Sequence, residues 1–165
     1  MINVVDNFLE PQEFYEIKNL LMGSNFPWVF NDGAVLSNKE SDLTDFQFTH
    51  AFYKDYTICS PFFPSVDPII KKLNPVALVR IKANLNTRMD DIYTREMHQD
   101  IRGFKGTSAV FYVNTNNGKT MFEDGTEIES VENRLLTFDS TLLHAGTTCM
   151  DQKTRCIINL NYYGN

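Results

Sequence analysis

Two histidines and one aspartate are the side chains of this sequence whose types and spacing best suit chemistry. His98 and Asp100 are separated by one residue, and His144 follows 46 residues after His98. Residues i and i+2 of a β-strand point to the same side, so His98 and Asp100 can reach one ion. Two imidazoles and one carboxylate can bind Fe(II) on one face and leave positions open for O2 and a co-substrate. These three residues are therefore our candidate metal ligands.

Zinc is the competing ion, because catalytic zinc sites also use three protein ligands that include histidines and a carboxylate. Arg155 favours iron. It lies 11 residues after His144 in a strand-like run, and a guanidinium can hold a carboxylate with two parallel hydrogen bonds. A hydrolytic zinc site needs no such cation, whereas a dicarboxylate co-substrate does. The ordinary alternatives are a histidine paired with a neighbouring carboxylate for His98 and a surface ion pair for Arg155.

The length and charge of the chain narrow the range of functions. Its 165 residues suit one domain, and folding of a chain this size buries roughly 70% of the unfolded surface. The net charge of −6 argues against a nucleic-acid backbone as the main partner, because such partners favour clustered lysine and arginine. The basic residues are scattered, and acidity that serves solubility is the simplest interpretation.

The cysteines and the apolar runs indicate a cytoplasmic location. Cys59, Cys149 and Cys156 form no Cys-x-x-Cys motif, and an odd count without a signal peptide favours reduced thiols. Cys156 is expected to be a small buried hydrophobe. No apolar run approaches the roughly 18 residues of a membrane span, so we expect no membrane partner.

The elements that must position the candidate ligands are mainly strands. A short strand is expected within residues 2–9, and helices are expected from Pro11 to about Gly23 and from about Pro64 to Leu73. The sequences at 116–118 and 124–125 are hairpin signals. Together these features predict a double-stranded β-helix, a cupin-like jelly-roll barrel at 76–164, with residues 1–75 as a helical and aromatic support. The strands of the barrel are predicted at 76–86, 92–100, 107–114, 120–123, 126–131, 134–139, 146–149 and 155–163.

Residues 24–60 contain many aromatic side chains without a clear period. We expect a short strand or two within a long loop, part of which packs on the barrel. The rest is predicted to form a mobile flap over the iron within residues 28–57, with packing of the whole segment as the alternative. His50 is expected to have a structural role, and Asp90 and Asp91 to cap a turn. The aromatic residues in question are Trp28, Phe30, Phe46, Phe48, Phe52 and Tyr53.

The parity of two strands predicts a polar pocket. Arg155, Asn159 and Asn161 share one side of the last strand, whose other side is apolar and must face the core. Ser108 and Tyr112 likewise share one face of the strand at 107–114, together with Asn114. Two polar faces that point inward would line a cavity, whereas exposure of these faces to solvent is the alternative.

The C-terminal half resembles the Fe(II)/2-oxoglutarate-dependent dioxygenases, in their prolyl 4-hydroxylase-like branch and among its small bacterial and phage-encoded members. The resemblance covers about residues 76–164 and is looser over the N-terminal segment. The ordered series that carries it is 98–100 (His-Gln-Asp), 109–114, 117–122, 144–146 (His-Ala-Gly) and 155–162. The resemblance implies one 2-oxoglutarate/Fe(II) dioxygenase domain over residues 1–165. It also implies that the expected cytoplasmic location is the host cytoplasm if the sequence is phage-encoded.

The resemblance also implies roles for individual residues. His98, Asp100 and His144 would bind iron, and Arg155 would pair with the distal carboxylate of 2-oxoglutarate. Tyr112 matches a strand tyrosine that assists this carboxylate, and Ser108 matches a hydroxyl residue of the same pocket. Asn161, on the face of Arg155, and Asn84 complete the expected contacts. Asn84 is a departure, because the family usually has a tyrosine near this position.

The implied chemistry is the oxidative decarboxylation of 2-oxoglutarate by O2, coupled to hydroxylation of a C–H bond, with ascorbate as a candidate supporting reductant. The intact Asp100 argues for hydroxylation, because halogenating relatives lack this carboxylate. The expected substrate is a prolyl or other peptidyl side chain. The alternatives are a free amino acid or other small molecule and, from a different class, a non-catalytic jelly-roll binding module.

Overall fold

Two antiparallel sheets contain the named strands in a computed structural model, which describes residues 1–33 and 44–164. The larger sheet has the strand order β1-β9-β6-β11-β5-β3-β2, with β4 paired to β3, and the smaller sheet has the order β10-β7-β8. The elements are β1 (Ile2–Val5), α1 (Pro11–Leu21), β2 (Val29–Asp32), β3 (Phe46–Lys54), β4 (Thr57–Ile58), a 3-10 helix (Phe63–Val66), α2 (Asp67–Leu73), β5 (Ala77–Thr87), β6 (Thr107–Tyr112), β7 (Asn116–Phe122), β8 (Glu127–Ser130), β9 (Arg134–Asp139), β10 (His144–Gly146) and β11 (Thr154–Tyr163).

The jelly-roll prediction is confirmed in its architecture, with one correction. The two sheets pack against each other, but within residues 1–33 and 44–164 no strand pairing closes them into a barrel. Side chains of both sheets meet in one apolar cluster, which includes Val110 and Leu136 of the larger sheet and Phe122 of the smaller sheet. The cavity described below lies between the same two faces.

The main core lies on the opposite face of the larger sheet, under the helices. Helix α1 begins with Pro11 in its first turn, where a missing N–H costs nothing. It buries Phe14, Ile17 and Leu21, which helical spacing places on one side. Each such burial contributes roughly 1.5–3 kcal/mol of transfer free energy. This core holds the back of the sheet rigid and thereby fixes the strands that carry the site.

Strand β11 confirms the parity argument. Cys156, Ile158 and Leu160 are fully buried in the main core, whereas Arg155 and Asn159 line the cavity on the other face. Burial raises the pKa of the Cys156 thiol to about 12, against a smaller lowering by Arg155. This cysteine is therefore a protonated core residue at neutral pH, as predicted.

The long loop predicted at 24–60 is wrong in its extent over the described part, although the expected strands within it are present. Residues 29–32, 46–54 and 57–58 are strands, and β3 pairs with β5 inside the larger sheet. Both faces of β3 are covered, since Gln47 lines the cavity described below whereas His50 and Phe52 are buried toward the main core. A register shift between Ala51 and Tyr53 also interrupts the pairing with β5. Burial of polar residues and this bulge together hide the period of two on which strand prediction depends.

The aromatic segment divides between core and surface. Phe52 is fully buried, and Trp28 and Tyr53 pack against the main core. Phe30 is exposed and contacts the rings of Phe46 and Phe48. The predicted flap falls partly on residues 34–43, which lie outside the described residues, and the flanking residues 31–32 and 46–50 belong to strands.

The strand predicted at 92–100 is also wrong. Single bridges join Arg88 to Cys149, Thr94 to Thr147 and His98 to His144, and the segment between β5 and β6 is otherwise irregular. In this segment, hydrogen bonds to side chains replace part of the backbone hydrogen bonding of a strand. The backbone N–H of Tyr93 donates to Thr148 Oγ1, which satisfies it without a partner strand.

Two strand boundaries differ from prediction in the smaller sheet. Strand β10 begins at His144, two residues before the predicted start at 146, so the second histidine lies in the sheet itself. The sequence at 116–118 is not a hairpin turn but the bulged start of β7. The turn predicted at 124–125 is present, with Gly125 at a positive φ of 86°. None of the helices in the described ranges is long and apolar enough to cross a membrane.

Candidate metal and co-substrate site

A polar cavity lies between the two sheets, and its floor is the shared face of β5 and β11. The register pairs Lys82 with Asn159, Asn84 with Ile157 and Asn86 with Arg155, so alternate residues of both strands line the floor. The remaining walls come from β3, β6, the smaller sheet and the segment before β6. The residues that line these walls are Gln47, Arg95, His98, Asp100, Val110, Thr120, His144, Gly146 and Thr147.

The three predicted metal ligands lie together at one end of this cavity. His98, Asp100 and His144 each offer a ligand atom, and these atoms lie within 4.8 Å of one another. The two histidines face each other across an isolated bridge. His98 N donates to His144 O at 2.9 Å, and His144 N donates to His98 O at 3.1 Å. This reciprocal backbone pair places the two ring centroids 4.9 Å apart.

Backbone carbonyls fix the tautomer of both imidazoles. His98 Nδ1 lies 2.9 Å from Glu96 O, and His144 Nδ1 lies 3.2 Å from Leu142 O. A carbonyl oxygen can only accept, so each Nδ1 must carry the proton and donate it. The neutral ring then presents its Nε2 lone pair, which is the form that binds a metal ion. Burial is the largest influence on the pKa of His144 and lowers it, which favours this neutral form.

Asp100 is held as a carboxylate by its neighbours. Its side chain is 6% exposed, and Oδ1 lies 3.0 Å from Arg80 Nη2. Asn161 Nδ2 donates to Asp100 Oδ2 at 3.1 Å. Burial by itself raises the pKa of this carboxyl, but Arg80, His144 and Asn161 together hold the pKa below its ordinary value. The group is therefore an ionised oxygen ligand next to two imidazole nitrogens.

We expect Arg80→Met to raise the pKa of Asp100 relative to the wild type, because burial then acts without its strongest opposing influence. In the wild type, this carboxylate stabilises the fold above the pKa of an unfolded aspartate. That contribution is lost as the pH falls through the lower folded-state pKa. Carbon-13 NMR titration of the metal-free protein measures the carboxyl pKa directly. An Asp100 pKa that is the same in the variant and in the wild type would contradict this role of Arg80.

Ser108 and Asn161 lie behind Asp100 and do not line the cavity. Asn161 Nδ2 also donates to Ser108 Oγ at 2.9 Å, and Asn161 Oδ1 accepts from Arg80 Nε at 3.1 Å. Both side chains are fully buried. Their contacts orient the carboxylate and its arginine, so in this structure they support the candidate metal ligand. They do not contact the space where a co-substrate would bind.

Arg155 lies at the other end of the floor and is 1% exposed. Its Nε donates to Ser130 Oγ at 3.0 Å, and its Nη2 contacts Thr120 Oγ1 at 3.2 Å and Lys119 O at 3.3 Å. These contacts leave Nη1 without a hydrogen-bond partner within residues 1–33 and 44–164. A Cβ added at Gly146 would lie 3.3 Å from Nη1, so the missing side chain leaves space at this atom. Burial lowers the pKa of Arg155, and no carboxylate in the described ranges forms an ion pair with it.

Tyr112 does not line the cavity itself but contacts Thr120, which lines the cavity near Arg155. Its hydroxyl donates to Thr120 Oγ1 at 2.7 Å, and its ring lies 5.8 Å from the Arg155 guanidinium carbon. Thr120 therefore contacts both residues that the sequence assigned to the co-substrate carboxylate. Sequence reasoning gave no role to Thr120, although it lies in the segment 117–122, or to Ser130, because each reaches Arg155 from a different strand.

Gly118 provides the space for the Arg155 side chain. A Cβ at this position would lie 2.6 Å from Arg155 Cδ and 2.7 Å from Thr148 O. Contacts this short force a displacement of the neighbours. The glycine that suggested a turn in the sequence is instead a point of close approach between β7 and the buried arginine.

We expect Gly118→Ala to lower the free energy of unfolding by about 1–3 kcal/mol, the usual cost of inserting a methyl group into a packed site. The substitution should also weaken the binding of a ligand carboxylate at Arg155, because the added methyl group displaces the Arg155 side chain. Chemical denaturation measures the first effect. Gly164→Ala is the matched control, because its Cβ would meet only ordinary contacts at 3.7 Å. Equal stability of the two variants would show that the approach at Gly118 is not constrained.

Three other sequence assignments can be placed. Asn84 lines the cavity floor and is 7% exposed. His50 does not line the cavity. Its ring nitrogens lie 2.8 Å from Pro27 O and 2.7 Å from Ser60 Oγ, which supports the structural role. Asp91 Oδ1 accepts from Ile92 N at 2.9 Å, as expected for a residue that caps a turn.

The donor set fits an Fe(II) ion with 2-oxoglutarate. Two imidazoles with free Nε2 atoms and one ionised carboxylate lie at one end of the cavity, and an arginine with an open Nη1 lies at the other. The lone-pair pattern is imposed by backbone carbonyls and does not depend on a bound ion. The arrangement can hold a metal and an anionic ligand in one space.

Structural comparisons place the fold among 2-oxoglutarate-Fe(II) oxygenases. A prolyl hydroxylase from Trichoplax adhaerens, in complex with a hypoxia inducible factor peptide fragment, is 18% identical. The alignment covers 98% of this chain and 83% of that chain with a TM-score of 0.63. A prolyl-4-hydroxylase from Pseudomonas putida is 14% identical and has a TM-score of 0.58, with coverage of 98% and 92%.

A third similar structure is the epimerase SnoN in complex with Fe3+, alpha ketoglutarate and nogalamycin RO. It is 12% identical, with a TM-score of 0.67 and coverage of 99% of this chain and 78% of that chain. No protein-family model matches the sequence, and the curated proteins include no significant match. The chain therefore has the jelly-roll fold of the 2-oxoglutarate-Fe(II) oxygenases, the prolyl hydroxylases among them.

Proposed function

We propose that this protein is an Fe(II)- and 2-oxoglutarate-dependent oxygenase that hydroxylates an unactivated C–H bond. The observation that carries the proposal is the common cavity of the three candidate metal ligands and Arg155. His98, Asp100 and His144 would hold the metal, and Arg155 would hold the distal carboxylate of 2-oxoglutarate. When bound, the iron and its co-substrate would supply the oxidation by O2, which protein side chains cannot supply.

The residues of this chain would bind and orient the reactants. Glu96 O and Leu142 O keep both Nε2 atoms free of protons, and Arg80 and Asn161 keep Asp100 ionised and aimed at them. The contacts of Ser130 and Thr120 fix the guanidinium of Arg155 before a ligand arrives. Such fixed donors lose little conformational entropy when the co-substrate binds.

Zinc hydrolysis is the weaker alternative for this donor set. It leaves a buried guanidinium with an open Nη1 in the cavity without a role. A non-catalytic binding module is weaker still, because such a module does not require two imidazoles in the same metal-binding tautomer beside an ionised carboxylate.

We propose a peptidyl side chain, with proline first, as the prime substrate. The support is that similar folds include prolyl hydroxylases, one of them in complex with a peptide fragment. A free amino acid or another small molecule is the second candidate. Its support is the polar floor of the cavity, where Lys82, Asn84 and Asn159 face the candidate metal end.

Release of succinate without an added prime substrate tests the reaction class. Wild-type protein with Fe(II), O2, ascorbate and 2-oxoglutarate should form succinate slowly, and a chelator should stop it. A panel of proline-containing peptides and free amino acids then tests the substrate, since the correct one should accelerate succinate release and gain one oxygen atom. No iron-dependent succinate under any condition would refute the oxygenase proposal.

A further inference from the structure

The cavity contains a second cation, Lys82, that the metal and co-substrate assignment does not use. Lys82 lies at the end of the floor nearest the candidate metal ligands, opposite Asn159 in the register of β5 and β11. Neither an ion pair nor a hydrogen bond joins its side chain to any residue of the described ranges 1–33 and 44–164. The other cations near the site have acceptors: Arg80 pairs with Asp100, and Arg95 pairs with Asp45.

An unpaired ammonium in such a place is costly. Burial, and next the charge of Arg80, lower the pKa of Lys82 to about 8, against a smaller opposite effect of Asp100. The side chain therefore still carries its charge in most molecules at neutral pH. Asp100 does not neutralise it, because that carboxylate already contacts Arg80 and Asn161. An anionic ligand in the cavity would remove the cost.

Two amide oxygens beside Lys82 also lack partners. Asn84 Oδ1 and Asn159 Oδ1 are buried atoms without a hydrogen bond in the described structure, and both residues line the cavity. Buried acceptors in native proteins are nearly always hydrogen-bonded. Two open acceptors around one open cation match a ligand that carries a carboxylate close to N–H or O–H donors.

The position of Lys82 separates it from the expected co-substrate anchor. Asn86, opposite Arg155, is four residues from Lys82 along β5, which is roughly 13 Å of strand. Arg155 has its own open Nη1 for one carboxylate. The other carboxylate of 2-oxoglutarate, next to its keto group, would be used at the metal, so a further carboxylate held by Lys82 would belong to a different molecule. The effect of Lys82 on KM for 2-oxoglutarate, tested below, separates these two carboxylates.

We propose that Lys82 binds a carboxylate of the prime substrate, with Asn84 and Asn159 accepting hydrogen bonds from donors next to that carboxylate. The inference rests on the proposed oxygenase function and specifies its substrate class. The carboxylate has two sources: the main-chain carboxylate of a free amino acid, or the side chain of aspartate or glutamate within a peptide. Lys82 is thus a specificity-determining residue of the cavity.

A matched panel distinguishes the two sources. It contains free proline, aspartate and glutamate, their N-acetyl amides, and capped peptides with or without an internal aspartate or glutamate. Stimulation of succinate release by free amino acids, including proline, assigns Lys82 to the main-chain carboxylate. Stimulation only by capped acidic peptides or acidic N-acetyl amides assigns it to the side chain. Either result supports the proposal, whereas equal stimulation by compounds without a carboxylate overturns it.

Lys82→Met tests the residue itself. For the stimulating compounds we expect KM to rise at least about tenfold, with little change in kcat or in KM for 2-oxoglutarate. Lys82→Arg should restore part of the affinity, and Lys153→Met, at an exposed lysine, should change nothing. A rise in KM for 2-oxoglutarate in place of the substrate, or no change in either constant, contradicts the assignment.

A binding measurement separates this inference from the oxygenase proposal. The same panel should raise the thermal stability of metal-free wild-type protein for carboxylate compounds and leave Lys82→Met unchanged. Stabilisation that depends on Lys82 in a protein that forms no succinate would support the carboxylate site while refuting the reaction. If no carboxylate compound stabilises the wild type or stimulates succinate release, the proposed role of Lys82 is wrong.

Discussion

His98→Ala should abolish iron-dependent succinate formation, with a loss of more than about 100-fold in rate at any practical Fe(II) concentration. Changes in residues that merely orient metal ligands already cost about 10–100-fold in affinity or activity, and removal of a ligand should cost more. His98 is the suitable ligand to remove, because it is less buried than His144, whose ring packs 4.7 Å from that of Phe138. Succinate release and Fe(II) binding measured on the same sample check the prediction.

Gln99→Ala is the matched control for this experiment. Gln99 lies between the two candidate ligands, and its side chain donates to Thr141 O at 2.9 Å. Its removal should cost about 0.5–1.5 kcal/mol of stability and leave iron binding intact. If His98→Ala and Gln99→Ala lose activity to the same extent, the loss comes from the irregular segment as a whole and not from a missing ligand.

Arg155→Leu should raise the KM for 2-oxoglutarate at least tenfold while iron binding is largely retained. Removing one partner of a buried, hydrogen-bonded charge pair typically costs about 2–5 kcal/mol, much of it from the charge left unpaired. The variant also leaves Ser130 and Thr120 without their guanidinium contacts. Steady-state kinetics with varied 2-oxoglutarate measure the effect, and thermal unfolding shows how much of it comes from lost stability.

Arg155→Lys provides the comparison that separates charge from geometry. Lysine keeps the cation but cannot offer two parallel hydrogen bonds from a planar group, so its KM should lie between the other two values. Equal values of KM in the wild type and in Arg155→Leu would move the carboxylate anchor to another cation that lines the cavity.

Residue spacing was enough to predict the candidate ligands, although the local structure it assumed was wrong. The i, i+2 argument placed His98 and Asp100 on one side of a strand, and the structure has an irregular segment there with a single bridge to His144. The three ligand atoms nonetheless lie within 4.8 Å of one another, and the bridge sets the two histidines face to face. A two-residue bridge leaves no period in the sequence, so its form could not be predicted.

Strand parity was similarly informative where a strand is regular and failed where it is not. Strand β11 alternates without interruption from Thr154 to Asn161, and Arg155 and Asn159 line the cavity as expected, whereas Asn161 lies behind Asp100. In β3, polar and apolar residues are buried on both faces and a bulge lies near Ala51, so most of the segment was mistaken for a loop. A bulge depends on the pairing of strands distant in sequence, which a single sequence does not display.

The ion pairs and hydrogen bonds that orient the site residues were the least predictable feature of the structure. Arg80 reaches Asp100 across 20 residues, and Ser130 reaches Arg155 across 25. Neither pair has a characteristic spacing, because each joins elements whose proximity is set by the fold. The turn predicted at Gly118 was wrong for the same reason, because the absence of a side chain at Gly118 makes room for Arg155 of β11.

Anaerobic titration of the protein with Fe(II) and 2-oxoglutarate tests the central claim most directly, since it requires no knowledge of the prime substrate. Metal and co-substrate bound at one site should give a weak visible charge-transfer band that needs both components and disappears in His98→Ala. At about 100 times its dissociation constant, such a ligand should also stabilise the fold by roughly 2.7 kcal/mol. Wild-type protein that shows neither the band nor a thermal shift would contradict the assignment of His98, Asp100, His144 and Arg155 to an iron and 2-oxoglutarate site.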